Sequence, residues 1–320
     1  MVPPGQDKQL IPRIAVLVPC YNEEAAIATV VADFRAALPD AVIYVYDNNS
    51  ADRTSAVARD AGAVVRIERR QGKGNVVRRM FADIEADIYV LVDGDDTYDA
   101  GAAPRMIRTA IAEGADLLTA RRIHTDAAAY RPGHVLGNRL LTGLTAWLFN
   151  VKIGDMLSGY RVFSRRFVKS FPFTAEGFGI ETELTVHAVR LMMPLADMDT
   201  RYKERPVGSV SKLNTYRDGF RILRTIGHLV REERPLIFFT TGFILLALAS
   251  VAISVPLVNE YLATGQVPRL PTAILATGLM LLAFLSLTCG LILDTVTRGR
   301  WEQKRMSYLA IPGPQDLTPP

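Results

Sequence analysis

Apolar residues in the first part of the chain follow two rhythms. Short continuous runs, RIAVLVP, AVIYVYD, AVVRIE and DIYVLVD, read as strands buried on both faces. Between them EEAAIATVVADFRAAL, ADRTSAVARDAG and KGNVVRRMFADIEA repeat apolar residues at helical spacing, and Gly62 is placed to close the second of these. AAPRMIRTAIAEG and ADLLTA continue the series. This alternation predicts an α/β fold with a mostly parallel sheet, whose ligands bind at the carboxyl ends of the strands. Each predicted strand ends in polar residues: PCYNEE, YDNNS, ERRQGKG, DGDDTYD and ARR.

From Arg121 to about Arg234 the pattern loosens, although ETELTVHAVRLM has helical spacing. In segment 214–234, Tyr216, Phe220, Leu223, Ile226 and Val230 form one stripe, with Arg217, Arg221, Arg224 and Arg231 largely to its side. The segment reads either as an amphipathic helix on a membrane surface or as an ordinary helix packed on the domain. Two long apolar runs follow. Leu236–Val258 carries no charge and at 1.5 Å per residue covers roughly 35 Å, enough for a bilayer core. Thr272–Leu293 is the second. Arg231 and Arg234 precede the first run, and Arg298, Arg300, Lys304 and Arg305 follow the second. The loop between holds only Arg269 and Glu260, so both ends are expected on the cytoplasmic side. The expected organisation is a cytoplasmic domain over 1–213, the amphipathic segment, a transmembrane hairpin over 235–295 and a cytoplasmic tail over 296–320.

Composition agrees with this division. The chain has 320 residues, 49% of them hydrophobic, with a net charge of +4 and a pI near 9.1. A mild basic balance suits phosphate-rich ligands, nucleic acid or an anionic membrane face alike. Cys20 and Cys289 lie far apart and form no metal motif, and no disulfide is expected. The first residues lack a basic-then-apolar signal peptide, so the first third of the chain is expected to stay in the cytoplasm.

The acidic knot VDGDDTYD carries the most chemistry. At a strand end Asp93 and Asp95 share a face and Asp96 points away. Gly94 between them leaves room for a ligand to approach the backbone. Two carboxylates so placed suit Mg²⁺ or Mn²⁺ with positions open for phosphate oxygens, or else belong to a solvated turn that caps the next helix. Asp99 fits that cap. Asp47 ends the second strand, where a carboxylate can take a base or ribose hydroxyls, while Ser50 or Asp52 suits an N-cap. RQGKGN is neither a P-loop nor a dinucleotide fingerprint, but Lys73 in it could reach a diphosphate.

In their order and spacing, VLVPCYNEE, VYDNNSADRT, QGKGNVVRRMF, LVDGDD, DMLSGYRVFSRR and GSVSKL resemble the family 2 glycosyltransferases with a GT-A fold, from about Ile14 to Lys212. With the two-helix anchor, the D-x-x-[ST]-G-[YF]-R block is similar to that of the polyprenyl-phosphate sugar synthases. The resemblance implies inverting transfer of a hexose from a UDP- or GDP-linked sugar to undecaprenyl or dolichyl phosphate, with no nucleic acid partner. It implies that Pro19, Tyr21 and Glu23 border the nucleotide and that Asp47 holds the base or ribose. Asp93 and Asp95 would bind the metal and diphosphate, and Asp155 would face the reacting centre. Arg122, Arg139 and Lys212 would neutralise phosphates, with Arg161 a weaker candidate. Mannose-type enzymes tend to carry a glutamine where this chain has Thr97, after an inserted Asp96, a departure that puts mannose as the sugar in doubt. LLTGLTAWLFNVKIGD reads either as a lipid-guiding segment or as a core helix. Other lipid or glycan acceptors, or a non-catalytic sugar-nucleotide scaffold, are the competing readings. Gly and Ser residues in both spans would let copies of the hairpin pair.

Overall fold

The computed structural model describes residues 12–124, 143, 154–171, 179–203, 231–232 and 234–317. Arg139, Lys212, the stripe of segment 214–230 and LLTGLTAWLFNVKI (apart from Gly143) lie outside the described residues. The chain forms two compact units, Met1–Gly219 with Lys304–Pro320, and Phe220–Gln303.

In the first unit β1 (Ile14–Cys20), β2 (Val42–Asp47), β3 (Val64–Ile67), β4 (Ile88–Leu91), β5 (Leu117–His124), β6 (Arg161–Ser164) and β7 (Leu195–Tyr202) make one sheet, ordered β3-β2-β1-β4-β6-β5-β7. The pairs β1–β2, β1–β4, β2–β3 and β5–β7 are parallel, and β6 runs antiparallel to both neighbours. The sheet is therefore mostly parallel, as the alternation predicts, with one reversed strand inside it. The pattern of apolar runs does not reveal β6 and β7. β6 is only four residues long, and its last residue, Ser164, caps the following helix by accepting from Phe167 N–H. β7, LADMDTRY, is largely polar and partly exposed, so it offers no apolar run.

Helices cover both faces. On one side α1 (Ile27–Ala37) packs with α2 (Thr54–Asp60) and α4 (Ala103–Ala112). On the other α3 (Lys73–Asp83) packs with α5 (Arg165–Ser170) and α6 (Ile180–Arg190). Val16, Leu17, Val18 and Val90 of the central strands are fully buried. Phe81 meets Phe163 and Phe171 edge-on, Phe163 meets Phe167 at a tilt, and Phe167 stacks with Phe171, between α3, β6 and α5. Each fully buried aromatic ring of this kind contributes about 2–3 kcal/mol.

The second unit holds most of two long helices, α7 (Pro235–Thr264) and α8 (Leu270–Leu309), both long and apolar enough to cross a membrane. Pro256 interrupts the hydrogen bonding of α7 locally, and Gly265, in the left-handed region at φ 69°, ends it. Ser250 Oγ donates to the Ala276 carbonyl at 2.7 Å and Ser286 Oγ to that of Phe239 at 2.9 Å. A side chain at Gly290 would lie 2.8 Å from Phe239 Cβ. Ser250, Ser286 and Gly290, among the small residues of the two spans, thus serve the contact between α7 and α8.

α8 continues well past the apolar run, aided by an i,i+4 pair of Arg298 with Asp294. From Lys304 onward the chain belongs to the first unit. Tyr308 donates its hydroxyl to Asp116 Oδ2 at 2.7 Å, and Arg166 lies over the Tyr308 ring. Ser164 and Arg166 donate to Asp116 Oδ1, and Asp116 is fully buried. Leu317 packs against the main core. The segment read from sequence as a separate tail includes a piece of the first unit.

Candidate active site

A cleft of about 350 Å³ opens at the carboxyl ends of β1, β2 and β4. Pro19, Cys20, Tyr21 and Glu23 form one wall, Asn48 and Gln71 to Lys73 another, and Asp93 to Asp95 the third. Six of the residues singled out from sequence line it: Pro19, Tyr21, Glu23, Lys73, Asp93 and Asp95.

The loops that frame the cleft are laced together by side-chain to backbone bonds. Asn22 accepts from Ala51 N–H, while its own N–H donates to Ser50 Oγ. Asp52 accepts from Glu24 N–H and Glu24 from Arg53 N–H. Asn22 and Asn49 take left-handed conformations at φ 52° and 64°, which asparagine tolerates better than most residues. Asn48 donates to the carbonyls of Glu68 and Arg70 and accepts from Gly72 N–H, so it ties the end of β2 to the GKG turn. Asp47 is buried behind this wall, where it accepts from Ser50 N–H and Ser55 Oγ. It shapes the loop, and each oxygen retains acceptor capacity.

Lys73 opens α3, and its ammonium lies 2.5 Å from Asp93 Oδ1 and 2.6 Å from Glu181 Oε1. Burial pushes the Asp93 carboxyl up, Lys73 opposes that, and Asp95 adds to the rise. Burial alone would lower the basicity of Lys73, but Asp93 and Glu181 outweigh it and raise its pKa. Asp95 is 4% exposed, and its Oδ1 accepts from Thr97 Oγ1 at 2.6 Å. Thr97, the residue that departs from the mannose pattern, is itself buried and orients Asp95. Asp96 adopts φ 54° and faces Lys203 at 3.5 Å, away from its two acidic neighbours' cleft. Asp99 caps the turn before α4 by accepting from Gly101 N–H, as expected.

Gly94 lines the cleft, and a second reason excludes a side chain there: a β-carbon would lie 2.6 Å from the buried Cys20 Sγ. Gly159 of DMLSGYR faces the Asp93 carboxylate. Its N–H donates to Tyr98 Oη at 2.8 Å, which joins this loop to the acidic knot.

Asp155, on the same loop, takes a two-pronged contact from Arg122 at 2.7 and 3.0 Å, and Arg122 lies over the Tyr202 ring. Arg122 is therefore a paired charge next to the loop. Arg161 is corrected outright. It is fully buried and donates to the carbonyls of Ser158 and Met156 and to Thr185 Oγ1. With its guanidinium spent on the loop it braces DMLSGYR and does not reach phosphate. Reading the sequence singled out Thr97 only as a departure from the mannose pattern and overlooked Asn48, Tyr98 and Glu181. Asn48 and Tyr98 carried a faint signal, since each sits in a motif already singled out. Glu181 had none, because it lies in an ordinary helical pattern 108 residues from Lys73.

Among the described residues no three acidic, histidine or cysteine side chains gather as a metal centre. Two carboxylates at a phosphate-sized cleft nevertheless fit a hard divalent ion, which commonly takes one or two protein carboxylates and completes its shell with water and substrate phosphates. An ammonium already held at Asp93 shows that the place suits a cation.

Comparison with known proteins agrees with the site. The family model described as "Glycosyl transferase family 2" matches residues 15–171. The chain is 35% identical over 237 residues to the glycosyltransferase AglJ of Haloferax volcanii, covering 72% of this chain and 76% of that protein. It is 28% identical over 221 residues to a dolichyl-phosphate hexose transferase of the same organism, covering 69% of this chain and 95% of that one. Mycobacterium tuberculosis glucosyl-3-phosphoglycerate synthase, solved with Mn²⁺, UDP and glucosyl-3-phosphoglycerate, aligns with TM-score 0.53 at 25% identity, over 68% of this chain and 79% of that one. The cleft, the mostly parallel sheet and these relatives lead to one conclusion: the chain is a glycosyltransferase and belongs to glycosyl transferase family 2.

Proposed function

We propose that this enzyme transfers a hexose, with inversion, from a nucleoside diphosphate sugar to a polyprenyl phosphate such as undecaprenyl or dolichyl phosphate. The observation that carries the reading is the meeting of Asp93, Asp95 and Lys73 in one cleft at the strand ends, in a chain with two membrane-length helices. The name of the dolichyl-phosphate hexose transferase supports the acceptor class. The Mn²⁺ and UDP of the solved relative support the donor and metal class.

Asp93 and Asp95 would hold Mg²⁺ or Mn²⁺, which when bound supplies positive charge to the leaving diphosphate. Lys73 adds a second cation on the same side. Pro19, Tyr21, Glu23 and Asp47 border the nucleotide. An oxygen of the acceptor phosphate attacks the anomeric carbon as the bond from that carbon to the diphosphate oxygen breaks. The acceptor is already anionic, so it needs alignment more than deprotonation. Asp155, on the loop next to Asp93, and its partner Arg122, on β5, serve that alignment, and Arg139 and Lys212 add phosphate charge. The positive-inside pattern supports a catalytic unit on the cytoplasmic face.

The test is a donor screen with the purified protein in lipid nanodiscs, using radiolabelled UDP- and GDP-hexoses, polyprenyl phosphate and Mn²⁺ or Mg²⁺. Label is expected in the polyprenyl phosphate fraction of the organic extract. Label confined to another lipid or a glycan would move the acceptor, and nucleotide-sugar binding without transfer would favour a scaffold.

A further inference from the structure

Glu181 begins α6, far in sequence from the acidic knot, yet its carboxylate and that of Asp93 share the single ammonium of Lys73. Its helix is fixed from behind. Thr185 Oγ1 donates to the Glu181 carbonyl at 2.9 Å and accepts from the buried Arg161 at 2.9 Å. Arg161 in turn holds the carbonyls of Met156 and Ser158, and the next residue, Gly159, abuts Asp93. The contacts thus run in a circuit: Asp93, Lys73, Glu181, Thr185, Arg161, the DMLSGYR loop and Asp93 again. An ammonium held only by Asp93 would compete with any cation seeking the same carboxylate. An ammonium with a second carboxylate of its own can leave Asp93 and stay neutralised.

We propose that Glu181 is the positioning residue of Lys73: it draws the ammonium off Asp93 when a divalent cation binds there, and keeps it beside the donor diphosphate. This rests on the functional reading above. Glu181 acts through Lys73 and not on the metal.

Calorimetric titration of the full-length protein in nanodiscs with Mn²⁺ alone, and then with UDP in saturating Mn²⁺, tests it. Glu181→Gln should weaken Mn²⁺ binding about tenfold, the size of effect expected from a residue that tunes a metal ligand. Lys73→Ala should leave Mn²⁺ binding as tight or tighter and weaken UDP. In the Lys73→Ala background, Glu181→Gln should change Mn²⁺ affinity less than about twofold, because the residue it acts through is gone. Glu181→Asp, which keeps the charge, should restore much of the loss and serves equally if the Gln variant folds poorly. Thermal unfolding of each variant separates a folding defect from a binding one. A tenfold loss that persists without Lys73 would overturn the proposal and place Glu181 on the cation directly. Unchanged Mn²⁺ affinity in Glu181→Gln would overturn it as well. Wild-type protein that binds no Mn²⁺ would remove the functional reading, and the inference with it.

Discussion

Gly159 and Asp93 touch so closely that a side chain at position 159 must displace the Asp93 carboxylate. A β-carbon there would overlap Oδ2 of Asp93, whose Oδ1 Lys73 holds. Gly159→Ala should therefore push Asp93 out of place without emptying the core. Mn²⁺ affinity and transfer rate should both fall by about tenfold to hundredfold, while the circular dichroism spectrum stays that of the parent.

Asp95→Ala should lower transfer by about two to three orders of magnitude, the usual effect of removing stabilisation of a developing charge. Counting label in the lipid extract measures it. Thr97 would lose its acceptor, but the fold and membrane insertion should persist. Full activity in this variant would remove the metal assignment.

Arg161→Met tests whether that arginine is a brace. The substitution leaves the buried carbonyls of Met156 and Ser158 without this donor, so the catalytic unit should lose about 3 kcal/mol or more. Thermal unfolding in detergent would show it. Normal stability with impaired UDP binding would return Arg161 to a role at phosphate.

His187 supplies a pH signature. It is 2% exposed, stands edge-on to Phe167 and Phe171, and meets Ser170 Oγ through Nε2. Burial, with a smaller push from Lys304, lowers its pKa to about 3. Unfolded, the ring titrates near 6.5, so between the two values the unfolded chain holds the extra proton. Its contribution is present above pH 6.5 and is lost as pH falls toward 3, an upper bound on the order of 5 kcal/mol. His187→Gln should flatten the stability profile across that window, as read by denaturation at a series of pH values.

Tyr308→Phe removes one of the donors that Asp116 has in its buried site. The first unit should lose about 1–3 kcal/mol. Protease resistance of that unit should fall, and that of α7 should not change.

Much of the fold was legible because burial writes itself into apolar rhythm. The runs of β1 to β4 and both membrane-length helices declare themselves, and so does the convergence of polar residues at strand ends. The rest depends on contacts that leave no local mark. β7 is a polar strand that exists because β5 offers it a partner along eight residues. Arg161 looks like a phosphate ligand beside SGY, yet the sheet buries it. Gly94 and Gly159 look alike in sequence, and only their neighbours, a thiol and a carboxylate, tell them apart. Glu181 enters the site because α6 brings it to Lys73, a fact of tertiary packing alone.

The return of Tyr308 and Leu317 to the first unit also orders events in time. A ribosome delivers the sheet first and these residues only after both apolar helices have been made. The catalytic unit can begin folding early, but its final pieces arrive only once the hairpin has been made. The catalytic unit is thus completed only after both membrane-length helices have been synthesised, and a chain cut short before Tyr308 leaves the buried Asp116 without the phenol that closes its site.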